Sequence, residues 1–109
     1  MKKAVSLMVV IALALLCVAL FGQDAKKGAA VYANAKPACK TCHSIAGQGG
    51  KLGTLDGVGA KLTADQIKKW VRTPKDAKAG SKMLTAYGPD KISDGDLEDL
   101  TAYLLTLKK

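Results

Sequence analysis

Chemistry in this chain is concentrated in the run Cys39-Lys40-Thr41-Cys42-His43, which holds its single histidine and two of its three cysteines. The C-x-x-C-H spacing is that of covalent haem attachment. Two thiols so placed can reach both vinyl groups of a protoporphyrin as thioethers, and the next residue can set an imidazole on the iron. Other chemistries are open to the same residues. A closed zinc site needs four ligands, generally from two separated pairs, and no second Cys or His pair exists. A redox-active pair of the thioredoxin type would sit on a βαβ unit, and the chain offers no convincing strands. A structural disulfide, which suits an exported protein, leaves the neighbouring histidine without a role. The residues favour haem attachment, with zinc and thiol chemistry as the alternatives.

A histidine-bound iron has a sixth position to fill. Met83 is the only methionine beyond the N-terminal segment that carries Met1 and Met8. A lone methionine is ordinarily a core filler; given a haem, its thioether is a natural soft ligand. The candidate site is therefore Cys39 and Cys42 for attachment and His43 and Met83 on the metal, with no catalytic residue.

These residues need elements to hold them, and the 109 residues allow one small domain and exclude a two-domain enzyme. Lys2 and Lys3 precede the apolar run Ala4–Phe21, the pattern of a signal peptide over residues 1–22. Cleavage after Gly22 is expected, with retention as a membrane anchor as the alternative. Cys17 then leaves with the leader, and residues 23–109 form the working domain. That part is poor in aromatics, and a chain so short commonly depends on a metal, disulfide or cofactor.

Asp24 can cap a first helix running to about Ala35, which Pro37 helps to end. Glycines from Gly47 to Gly59 then argue for irregular backbone close to a flat ligand. Thr63-Ala64-Asp65-Gln66 is a capping box. It opens a helix with Ile67, Trp70 and Val71 on one face that stops before Pro74. No periodicity survives from Lys75 to Asp90. Ser93 caps a last helix carrying Leu97, Leu100, Leu104 and Leu107, with acids in its first turns and Lys108 and Lys109 at its end. Core packing is the expectation for the leucines. Trp70 and Tyr87 are expected in the core too, with contact to the ring or a propionate as the alternative. Arg72 is expected either at the solvated surface or on a propionate.

In this order of motifs the sequence resembles the class I monohaem cytochromes c, above all the small bacterial periplasmic ones. Gly28 and Tyr32 match the first helix, Cys39–His43 the haem motif, Thr73-Pro74 the end of the middle helix, Ser81-Lys82-Met83 the methionine loop, and Leu100 and Tyr103 the last helix. The resemblance implies an all-α cytochrome c fold of three to four helices wrapped around one covalent haem c. It also implies a last helix that crosses the first, with Gly28 permitting close approach. Two positions depart from the pattern. Gly53 stands where the family usually has a proline whose carbonyl accepts from the proximal histidine Nδ1, and Leu84 stands where a proline commonly follows the methionine. Both changes are expected to loosen the haem loops.

Electron transfer by a His43- and Met83-ligated haem follows as the expected function, in the periplasm and without enzyme activity. The alternatives are a ligand-binding or peroxide-reacting haem protein with a labile Met83, and a haem subunit of a larger oxidoreductase. The formal net charge of +8, with acids clustered from Asp90 to Asp99, points to redox partners with acidic docking surfaces met by Lys40 and Lys82. Solubility alone is the competing explanation of the charge. Scattered lysines and one arginine make no nucleic-acid-binding stripe. A monomer is expected.

Overall fold

A computed structural model describes residues 24–83 and 85–109; the leader, its cleavage site, Cys17 and the Leu84 position lie outside the described residues. Asp24 begins the first helix as read from the sequence: its Oδ1 accepts from the amides of Lys26 and Lys27 at 2.9 and 3.2 Å. That helix, α1, spans Ala25–Asn34. The last helix, α5, spans Asp94–Leu105, with the Ser93 hydroxyl accepting from the Asp96 amide at 3.1 Å. The two pack more extensively than any other pair of elements.

Gly28 is what lets them meet. A Cβ on it would stand 2.0 Å from the Asp99 carbonyl oxygen and 2.7 Å from the Tyr103 Cβ, so the helix backbones touch with nothing between them. Beside this crossing, the Tyr32 and Tyr103 rings lie 6.0 Å apart and tilted at 57°, within the favourable range for an aromatic pair. Buried Asp99 accepts from the Asp24 amide at 3.0 Å, tying the start of α1 to the middle of α5.

Between these helices the chain forms a 3-10 turn at Cys39–Thr41, then β1 (His43–Ile45), β2 (Gln48–Gly49) and β3 (Gly53–Thr54). The strand order is β2-β1-β3. β1 pairs antiparallel with β2, Ser44 opposite Gly49, and parallel with β3, His43 opposite Gly53 and Ser44 opposite Thr54. This small sheet corrects the expectation of irregular backbone over the glycine-rich stretch. Two of the glycines lie hard against backbone: a Cβ at Gly49 would lie 2.2 Å from the His43 carbonyl oxygen, and one at Gly50 2.3 Å from that of Thr41. Side chains at either position would prise the strands from the cysteine turn.

Two one-turn helices, α2 (Val58–Lys61) and α4 (Pro74–Ala77), flank α3 (Ala64–Arg72). Both bonds of the capping box form, Thr63 N to Gln66 Oε1 at 2.8 Å and Gln66 N to Thr63 Oγ1 at 3.2 Å. Pro74 does end α3, but it also opens α4 from the position where its missing N–H costs nothing. α5 stops at Leu105, short of the expected end, so Leu107, Lys108 and Lys109 lie beyond the helix rather than in it. The Leu107 carbonyl accepts from the Gly59 amide at 2.8 Å instead, which fastens the tail to α2. Ile67, Val71, Tyr87, Ile92, Leu97, Leu100 and Leu104 are buried as one cluster. Among the described residues no helix is long and apolar enough to cross a membrane.

Candidate functional site

The turn that carries the motif is tightly wound: Thr41 N donates to the Ala38 carbonyl at 3.0 Å and Cys42 N to that of Cys39 at 3.2 Å. Both thiols are free, Cys39 half-buried and Cys42 exposed. Burial pushes the Cys39 thiol above its ordinary pKa, outweighing the lowering effect of a backbone hydrogen bond and of the Tyr87 hydroxyl. A thiol held protonated is a poor thiolate, which disfavours redox exchange. Among the described residues no three metal-ligating His, Cys, Asp or Glu side chains gather, so a closed zinc site lacks its ligands.

His43 follows at the start of β1. Its Nδ1 lies 3.0 Å from the Gly53 carbonyl oxygen. A carbonyl only accepts, so Nδ1 carries the proton and Nε2 keeps its lone pair free, the tautomer a metal-binding imidazole requires. The parallel pairing of His43 with Gly53 supplies this acceptor. Rigidity that a proline ring would give is replaced by the strand ladder and by neighbouring bonds, Leu52 N to the Cys42 carbonyl at 2.9 Å and Leu55 N to that of Ser44 at 2.8 Å. The proximal side is thus firmer than the glycine alone suggests. Asp56 adds a clip, its Oδ1 accepting from Ala46 N at 2.9 Å and its Oδ2 from the Thr54 hydroxyl at 3.0 Å.

Cys39, His43 and Met83 all line one largely apolar cavity of about 210 Å³, walled by α3 and α5. An adjoining opening is bordered by Cys42, Leu52, Lys82 and Met83. Met83 comes from the loop after α4, where its amide donates to the Ser81 hydroxyl at 3.1 Å. The four candidate residues therefore converge although Met83 is remote from the motif in sequence. A planar apolar macrocycle with an iron centre fits this donor set: two thiols at one edge, a nitrogen lone pair on one side and a soft sulfur in the same cavity.

Trp70 and Tyr87 both line the cavity. Tyr87 is 4% exposed, and its hydroxyl donates to the Pro37 carbonyl at 2.6 Å rather than reaching for a propionate. Its pKa is pushed up to about 12, chiefly by burial and then by negative charge at Cys39, so the hydroxyl stays a donor. Arg72 is not the solvated surface residue expected, its side chain being 19% exposed. Its Nη1 donates to the carbonyls of Tyr87 and Ile92 at 2.8 and 2.6 Å, and its Nη2 to Asp94 Oδ1 at 2.9 Å. No local signal separates this arginine from exposed Lys69 on the same helix, because its partners lie far along the chain.

Lys40 and Lys82 are exposed, and Leu52, 83% exposed, shares the outer opening with Lys82. The acidic cluster is partly consumed in the fold: Asp94 pairs with Arg72, Glu98 with Lys68, and Asp99 is buried. No curated protein and no solved structure matches the chain significantly. A family model described as Cytochrome c matches residues 25–108.

Proposed function

Since the chain belongs to the cytochrome c family, whose members carry a covalent haem c in electron transfer, we propose that it is a periplasmic one-electron carrier with one haem. Cys39 and Cys42 would attach it, and His43 and Met83 would hold its iron. The observation that carries this reading is the convergence of a free His43 Nε2 and the Met83 thioether on one apolar cavity. The haem supplies a reversible ferric–ferrous couple when bound. The chain's own residues do the rest. The Gly53 carbonyl orients the imidazole, and the apolar walls of α3 and α5 keep water from the metal, which with a thioether ligand favours the reduced state.

The same geometry weighs against peroxide chemistry and for a carrier without enzyme activity. The only histidine is committed to the proximal side, and the only arginine is committed to backbone carbonyls and Asp94. Neither is left to move protons at a bound oxidant. Lys40, beside the attachment cysteine Cys39, and Lys82, which borders the outer opening with exposed Leu52, are the surface on which acidic redox partners dock. The leader over residues 1–22 directs export, and the carrier works as a monomer.

The pyridine haemochrome spectrum and intact mass of the exported protein test this reading. One haem with two thioether links, together with a ferric absorption band reporting sulfur on iron and a ferrous form inert to carbon monoxide, is the expected result. A colourless protein with the mass of bare polypeptide overturns it.

A further inference from the structure

Arg72 ends α3 with its side chain 19% exposed. Both hydrogens of its Nη1 go to carbonyls on the irregular stretch between Met83 and α5, those of Tyr87 and Ile92. The preceding residue acts on the same tyrosine: the Val71 carbonyl accepts from the Tyr87 amide at 2.9 Å. Consecutive residues of one helix end thus grip Tyr87 from both sides. On the other side of Met83, its own amide is held by Ser81, whose amide in turn donates to the Lys78 carbonyl at 3.1 Å. Met83 is therefore tethered before and after, with only residues 84–86 between it and the grip on Tyr87.

We infer that Arg72 is a positioning residue for the sixth ligand, a fork that keeps the Met83 segment closed over the cavity and so slows its departure from the metal. This rests on Met83 being that ligand. Hydrogen bonds from a charged donor are the stronger kind, and a planar guanidinium can serve two carbonyls and a carboxylate at once where an ammonium cannot. Without the fork the stretch from Met83 to Ile92 loses two of its bonds to α3 and is left with the Val71 carbonyl on the Tyr87 amide and the Tyr87 hydroxyl on the Pro37 carbonyl. The open arrangements of that stretch multiply, and the thioether spends more time away. The contact to Asp94, which is 92% exposed, contributes little to this.

The test is the rate at which added imidazole takes the sixth position of the ferric holoprotein, read alongside the sulfur-to-iron absorption band. Arg72→Gln and Arg72→Lys are each expected to bind imidazole about tenfold faster than wild type. Asp94→Asn is expected within about threefold of wild type. Thr63→Ala, which weakens α3 at its far end without touching the fork, is expected at the wild-type rate. Arg72→Lys keeps the charge and most of the length, so it serves if Arg72→Gln does not mature. Wild-type rates in both Arg72 variants overturn the inference. So does an acceleration in Thr63→Ala equal to theirs, which would reduce Arg72 to general stability. Failure of the ligand reading looks different: the wild type lacks the sulfur band, and Met83→Ala binds imidazole no faster than wild type.

Discussion

The donor set is carried by side chains whose protonation and orientation are decided by single neighbours. His43 presents Nε2 because its Nδ1 proton is spent on Gly53. Replacing Met83 by Ala should open the sixth position and lower the reduction potential by on the order of 0.1 V, a fraction of the roughly 0.8 V that axial ligands span; voltammetry and the loss of the sulfur band check this. Tyr87 offers a pH test. Its folded pKa of about 12 lies above the ordinary tyrosine value of 10.0, so the neutral hydroxyl stabilises the fold below pH 10 and that contribution is lost as pH rises towards 12. The stability difference between wild type and Tyr87→Phe should therefore shrink across this window in denaturant titrations; parallel curves would show that Tyr87 titrates normally. The four candidate site residues were legible in sequence because a rare spacing and a lone methionine carry them. Arg72 and the hydroxyl of Tyr87 were not, since what they bond is backbone brought near only by the fold.

Helices with strong local signals appear where their caps and apolar spacing put them, as the Thr63 box and Ser93 do. The small sheet escaped notice because its strands, such as Gln48–Gly49, are too short for alternation to show and are rich in the residue that usually argues against strands. Helix ends were the other blind spot: Leu107 continues the leucine spacing of α5 but is drawn to Gly59 instead. The α1–α5 crossing is the contact most sensitive to a single atom. Gly28→Ala puts a methyl where the Asp99 carbonyl stands 2.0 Å away, and should cost about 1–3 kcal/mol. A lower guanidinium midpoint with an unchanged m-value would report it.

At the scale of the molecule, a short chain wraps an apolar cavity bordered by partly buried residues such as Val58, Leu62 and Met83. Such a core is incomplete without a filler, so Cys39→Ala combined with Cys42→Ala should abolish cooperative thermal unfolding, as followed by circular dichroism. Charge acts over the same scale. Neutralising Lys40 and Lys82 should slow reduction by an acidic partner at low salt and matter little where the Debye length falls to a few ångströms, roughly 3 Å at 1 M; equal slowing at both salt levels would remove them from the docking surface. The crossing of α1 over α5, sealed by Asp24 on Asp99, also sets an order of events. In a chain delivered N-terminus first, the cysteine turn emerges long before residues 94–105 arrive to close the clasp. Until that last segment arrives, the wall that Leu100 and Leu104 give the cavity is missing, and the proposed filler has its widest path of entry.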